Sequence, residues 1–325
     1  MTTNRVNFID TMRGFSLFGI LMANLLIFQF GMSGKDELKD LSALDNGALY
    51  FVKIFIEESF MPIFTMLLGY SLIKLIESIR KKKDKSRWSI LRRATGLIAL
   101  GLLHSCLWEG DILATYGCMI LIFIPFINRK PKTLFIWAGI LLLLSQVLGS
   151  IYPLILFGMG LGKTQAFVNM ENEKKWYLIG LLLVPLGLAC KSYSYIDSYF
   201  SGMLGSQLLS VGYVCLAALL YKTRPVQLLS PAFESVGKLS LTNYLMQTII
   251  CTTVFYEYGL GLSGKLGVLG GILFGIVLYS LQCIFSLAYL KKFKRGPFET
   301  ILRIWTNWSW NGLNKVKQKG SALHG

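Results

Sequence analysis

The sequence predicts an all-α polytopic membrane protein, a bundle of about ten transmembrane helices with both termini cytoplasmic. Three observations carry this. Apolar residues make up 54% of the 325 and charged residues only 15%, with a mean hydropathy of +0.54. Apolar runs long enough to cross a hydrocarbon core of ~30 Å recur along the whole chain. The polar connections are brief and the helices apolar on most sides, which excludes a soluble α/β enzyme. Residues 1–325 therefore read as one transmembrane domain: a four-helix part (1–132), six further spans (133–290) and a basic, aromatic cytoplasmic tail (291–325).

Span 1 is Gly14–Gly31; Asp10 and Arg13 precede its apolar core and no small-x-small site follows before Lys35, so it is expected to stay uncleaved. Span 2, Phe51–Ile76, carries Pro62, which predicts a kink. Spans 3 and 4, Ile90–Trp108 and Ile112–Ile127, are joined by a tight turn. Thr133–Gly149 and Ser150–Gly162 read as two short spans, one long tilted helix being the alternative. Trp176–Cys190, Tyr199–Tyr221, Val236–Tyr256 and Leu266–Leu290 complete the set.

Basic residues set the orientation, because Lys and Arg accumulate in cytoplasmic loops. Arg80, Lys81, Lys82, Lys83, Lys85, Arg87, Arg92 and Arg93 face only Asp84, which puts that segment and the N-terminus inside. Ten spans keep Lys222, Arg224, Lys238 and the Lys291–Lys319 tail on the same side; nine do not. The net charge of +16 thus belongs mainly to the inner face, where anionic lipids account for it. Membrane lipids are the expected partners and a bacterial plasma membrane the expected location. Nucleic acid is excluded for want of a folded basic domain, and a homodimer is left open. The six cysteines show no Cys-x-x-Cys spacing and read as buried apolar groups, with no metal site expected. Gly160-Leu-Gly-Lys-Thr164 lacks the earlier glycine of a phosphate loop.

The candidate catalytic group is His104, inside Leu100-Gly-Leu-Leu-His-Ser-Cys-Leu-Trp-Glu-Gly-Asp111. An ionisable ring in a membrane span is costly, and imidazole exchanges protons near neutral pH. The tight turn brings Glu109 or Asp111 within reach to fix its tautomer; Asp111 also stands where it caps span 4. A satisfied interhelical histidine is the plainer alternative. Asn24, mid-span, either donates to a developing oxyanion or joins two helices. In span 2, Lys53 and Glu57 are four apart and able to pair, which leaves Glu58 as a spare carboxylate for substrate. Ser240, Asn243 or Tyr244, Gln247 and Cys251 form a polar stripe in span 9, which either lines a substrate cavity, the favoured reading, or binds two helices together. Arg13, Arg92 and Arg93 at the inner mouth suit an anion, although positive-inside anchoring explains the same residues and is the favoured reading. The Trp305-Thr-Asn-Trp308-Ser-Trp310 run reads as an interfacial belt.

Three segments resemble the YeiB family of bacterial membrane proteins, whose C-terminal half is a domain of unknown function. They are Asp10-Thr-Met-Arg-Gly to Asn24; Arg92 to Gly101-Leu-Leu-His104 with Glu109-Gly-Asp-Ile-Leu113; and Gly237-Lys-Leu-Ser-Leu-Thr-Asn-Tyr-Leu-Met-Gln247 with Gly296-Pro-Phe-Glu299 and Arg303. Together they span nearly the full chain. Family members usually have a long external loop between spans 5 and 6, almost absent here. The family is similar to transmembrane acyltransferases, including the heparan-α-glucosaminide N-acetyltransferases, which deliver acetyl from cytosolic acetyl-coenzyme A to an acceptor across the membrane. Their first span carries a similar pattern, matching Asp10, Arg13, Gly14 and Asn24. Their functional histidine lies in a different segment, so His104 does not inherit its role. The resemblance implies acyl-coenzyme A as co-substrate, held near Arg13, Arg92 and Arg93, and a small-molecule or glycan acceptor. A proton-coupled solute transporter and a non-catalytic envelope scaffold are the alternatives.

Overall fold

Chain segments that are apolar on most sides satisfy their backbone in a membrane only as helices or closed barrels. The computed structural model describes residues 7–34, 38, 40–81, 86–145, 151–168, 170–196 and 202–308, and among the described residues every regular element is helical. The protein is an all-α polytopic membrane protein. Five helical stretches are long and apolar enough to cross a membrane: Asn7–Phe30, Ala43–Arg80, Lys174–Ser194, Gly202–Leu220 and Gly267–Lys292.

Helix α1 (Asn7–Phe30) ends at Gly31, whose φ of 79° only a residue without Cβ adopts cheaply. The second crossing is not one helix. It comprises α2 (Ala43–Phe51), a π-helical stretch (Val52–Ile56), a break at Glu57–Ser59, and α3 (Phe60–Lys81). The interruption precedes Pro62, which sits harmlessly in the first turn of α3; the expected proline kink is corrected to a break at Glu58, a non-glycine residue with φ of 59°.

Helices α4 (Ser86–Ser105) and α5 (Leu113–Ile122) form the expected hairpin. They approach closely through glycines: a Cβ on Gly117 would stand 2.7 Å from the Ala94 carbonyl oxygen. Helices α6 (Pro131–Leu143) and α7 (Ile151–Thr164) are separate and pack on each other, as two short spans would and one long helix would not. At ten residues α5 is about 15 Å long, half the hydrocarbon core.

The expected seventh span divides at Leu182 into α8 (Lys174–Leu181) and α9 (Leu183–Ile196), and α10 (Gly202–Leu220) follows. The ninth span begins later than expected. Val236–Lys238 ends an amphipathic helix, α11 (Arg224–Lys238), and the chain turns at Leu239 into α12 (Ser240–Phe255). Then come α13 (Gly267–Lys292) and α14 (Pro297–Asn307).

Helix α1 sits centrally, packed on α3, α11, α12 and α13. Its closest approach is to α11, where a Cβ on Gly14 would lie 2.0 Å from the Phe233 carbonyl oxygen and one on Gly237 1.8 Å from that of Asp10. Helix α14 lays Leu302 and Thr306 against α4 and leaves Ile301, Trp305 and Trp308 exposed, the amphipathic habit of a helix lying in an interface. Trp310 falls outside the described residues. The cysteines are only partly as expected: Cys215 and Cys251 are buried, whereas Cys106 and Cys118 lie on the exposed apolar surface.

Candidate functional site

The α4–α5 hairpin places the candidate histidine. Gly101 and His104 share one face of α4, three residues apart. Because Gly101 has no side chain, the start of α5 lies directly on α4: an added Cβ would meet Ala114 N at 2.2 Å and Asp111 Oδ2 at 2.7 Å. Asp111 therefore sits against α4 one turn below His104. Its Oδ1 is 2.7 Å from His104 Nδ1, while its Oδ2 accepts the Ala114 N–H at 3.0 Å. One carboxylate thus orients the imidazole and caps α5. Both side chains are buried, at 2% and 3% exposure. Of the two carboxylates in reach by sequence, Asp111 is the partner. Glu109 is exposed and accepts from the Met32 N–H at 3.3 Å, so its catalytic assignment is corrected.

Two aromatic rings enclose the imidazole. Trp108, one turn on, meets it edge-on at 6.2 Å and is itself stacked on Phe28 of α1 at 4.5 Å. Tyr244 of α12 lies against it at 5.2 Å. His104 Nε2, Trp108 Nε1 and Tyr244 Oη are all buried without a hydrogen-bond partner among the described residues. Buried polar groups are nearly always satisfied, and exceptions mark functional sites or bound water. Asn24 is half-buried on α1, one turn before Phe28, and makes no hydrogen bond among the described residues.

The polar stripe of α12 is divided. Asn243 donates to Ser286 Oγ at 3.0 Å and to the Val236 carbonyl at 3.3 Å; Gln247 donates to Gln282 Oε1 at 2.9 Å, and Gln282 in turn donates to the Asn243 carbonyl. These residues form a closed seam between α12 and α13. Of the two readings of the stripe, Asn243 and Gln247 follow interhelical bonding and not the favoured cavity lining, which leaves Tyr244 as the α12 residue at the candidate site.

At the inner mouth, Arg13 donates to Asp10 Oδ1 at 2.7 Å and to Ser71 Oγ. Arg93 is close enough to Arg13 and Glu299 to feel both charges, and Arg92 donates to the Trp88 carbonyl of its own helix. The expected anion-binding lip therefore already holds two carboxylates. Glu299 also accepts from the backbone N–H of Leu241 and Thr242 and from Thr242 Oγ1, so α14 caps α12. Gly296 makes room for this; a Cβ there would lie 2.2 Å from Glu299 Oε2.

Sequence reading missed a second buried polar cluster. Lys191 of α9 reaches the break in the second crossing and donates to the Glu57 carbonyl at 2.5 Å and to Ser59 Oγ at 3.2 Å. Ser210 of α10 donates to the Ser59 carbonyl and Ser206 lies 3.5 Å from Glu58 Oε2; the neighbouring Gln207 is buried, with neither amide atom partnered among the described residues. The signal was present: Ser206, Gln207 and Ser210 repeat the polar spacing that drew attention to α12. Glu58 itself is exposed at the break. Elsewhere, a pocket of ≈ 650 Å³ opens beside Phe8, Phe167 and Tyr221, with Glu171 and Lys222 paired at its rim.

The fold and the buried pair define a polytopic membrane protein with a histidine–carboxylate site. Residues 161–309 match the family described as "Protein of unknown function (DUF418)". The chain is 27% identical to "Uncharacterized protein YxaH" of Bacillus subtilis (strain 168) and 27% identical to "Uncharacterized protein YeiB" of Escherichia coli (strain K12), each across 97% of both chains. It is 26% identical to the "Uncharacterized 39.9 kDa protein in amylase 3'region" of Bacillus acidopullulyticus, over 93% of this chain and 94% of that one. Along nearly its whole length the chain is thus similar to YeiB and YxaH, a likeness that supports a YeiB-family protein. The alignments with YxaH and YeiB run over 394 and 397 positions against 325 residues here, so those relatives carry insertions that this chain lacks. No solved structure matches the chain.

Proposed function

We propose that this protein is a membrane-embedded acyltransferase. It moves an acyl group from cytoplasmic acyl-coenzyme A to an acceptor at the outer side, with His104 as general base. The observation behind this is the 2.7 Å contact between His104 Nδ1 and Asp111, which leaves Nε2 buried and unpartnered. A carboxylate on one nitrogen fixes the tautomer, so that the other presents its lone pair. The acyl donor is supplied by the resemblance to transmembrane acyltransferases, not by geometry. Arg13, Arg92 and Arg93 would face its anionic end, with Asp10 and Glu299 reducing the charge they offer. The ≈ 650 Å³ pocket, with Lys222 at its rim, gives room on the side expected to be cytoplasmic. Asn24 would donate to the thioester carbonyl.

The test uses purified protein in liposomes with acetyl-coenzyme A, following release of free thiol. His104→Ala should lower that rate by ~10²–10⁴-fold, the usual contribution of general-base catalysis. An unchanged rate, with fold intact, would overturn the reading.

One observation favours a proton-coupled transporter instead: the second crossing is broken and a buried lysine enters the break, as in discontinuous transporter helices. Solute uptake with proton movement in sealed vesicles lacking coenzyme A would establish it.

A further inference from the structure

The environment of His104 specifies the chemistry of the group it receives. This rests on the proposed role of His104 as base. With Asp111 ionised, the neutral ring carries its proton on Nδ1, so Nε2 presents a bare lone pair. The two rings in contact with the imidazole each carry an unpartnered donor. Trp108 Nε1–H is donor only, and Tyr244 Oη–H, near the Ile112 backbone, donates to no acceptor. The imidazole and the two rings against it thus carry one acceptor and two donors without partners among the described residues. An alcohol oxygen offers the complement, one donor and two lone pairs. A primary ammonium has no lone pair, and an ether has no donor.

We infer that the acceptor presents a hydroxyl to His104, held by Tyr244 and Trp108, so that the chemistry is ester rather than amide formation. In the step this implies, the hydroxyl oxygen bonds to the thioester carbonyl carbon and its proton passes to Nε2. The C–S bond then breaks, and the departing sulfur takes that proton, giving an ester and a free thiol with the imidazole restored. Tyr244 and Trp108 do not exchange protons in this step; they orient the oxygen.

Diethyl pyrocarbonate acylates the free imidazole nitrogen, and mass spectrometry separates His104 from His324, the only other histidine. The full-length protein is modified at about pH 6, where propylamine is entirely ammonium, in the presence of propan-1-ol, ethyl methyl ether or propylamine. Propan-1-ol alone should slow modification of His104. Tyr244→Phe should weaken that protection roughly fivefold, the loss of one buried hydrogen bond, while His104 stays reactive. Equal protection by all three probes, or by none, would overturn the hydroxyl inference and leave the base intact. A His104 that never reacts would overturn both, because the ring would then be sealed from any reactant.

Discussion

Gly101 stands against Asp111 so closely that a methyl group would overlap the carboxylate, with 2.7 Å to Oδ2 and 2.2 Å to Ala114 N. The glycine is therefore a condition of the His104–Asp111 pair and not merely a small residue in a helix. Gly101→Ala should push α5 away from α4 and separate Asp111 from the imidazole. Overpacking of this kind costs about 1–3 kcal/mol. The expected outcome is a lower thermal midpoint together with loss of thiol release from acetyl-coenzyme A. Full activity in this variant would mean that the close approach does not position the base.

The two ends of the site are built on different kinds of support. His104 is held within one hairpin, whereas Tyr244 depends on where α12 begins. That helix has no side-chain cap of its own; Glu299 of α14 supplies it, accepting from Leu241 N at 2.8 Å and Thr242 N at 3.1 Å. A charged cap at a helix N-terminus is worth about 1–2 kcal/mol. Glu299→Ala should lower the thermal midpoint and speed amide exchange at Leu241 and Thr242. Glu299→Gln keeps an acceptor and should recover part of the loss. Exchange at Leu260–Gly264, remote from the cap, serves as the internal reference and should not change.

These particulars show what a sequence makes visible in such a protein. The His104–Asp111 pair was legible because seven residues and a tight turn separate its members, so local geometry fixes the outcome. The choice between Glu109 and Asp111 was not, since it depends on Gly101 letting α5 touch α4. Asn243 and Gln247 were legible as a polar stripe, but their partners Ser286 and Gln282 lie about ten turns of helix away along the chain, on α13. A polar face in a membrane helix must meet something polar; which partner it meets is settled only by packing. The helical class followed from apolar runs alone, whereas amphipathic α11 and the division of the seventh span at Leu182 did not. Nor did the break at Glu58, because the groups that bond its freed carbonyls, Lys191, Ser210 and Tyr213, lie on other helices, while Pro62 offered a more obvious but inactive signal.

Not every charge contact should matter. Glu171 and Lys222 pair at the rim of the ≈ 650 Å³ pocket, both well exposed. The Lys222 ammonium beside Glu171 holds its carboxyl below the usual value, so any stabilisation is present above the unfolded-state pKa and lost as pH falls through the lowered one. Water screens such a pair almost completely. Glu171→Gln should leave the thermal midpoint unchanged at neutral pH and in acid alike. A clear drop for this variant confined to neutral pH would show that the pair closes the pocket in a way its exposure does not suggest.

Lys191 is the opposite case. Its side chain crosses from α9 to the interrupted second crossing, where the Glu57 carbonyl, at 2.5 Å, is freed from helical pairing by the turn through Glu58. Without the lysine the Glu57 carbonyl would lose its short charged donor and keep the Ser59 Oγ–H at 3.3 Å, and Ser59 Oγ would lose its own donor; in an apolar surrounding such losses cost about 1–3 kcal/mol. Lys191→Met keeps the length and apolar stem but removes both bonds. It should lower the thermal midpoint and, by hydrogen exchange, loosen the first turn of α3 from Phe60 while sparing the α4–α5 hairpin. Lys191→Gln retains a donor and should fall between the two. If the methionine variant proves as stable as the parent, the break is held by Ser210 and Tyr213, which donate to the Ser59 and Phe55 carbonyls, and the lysine is free to serve another purpose.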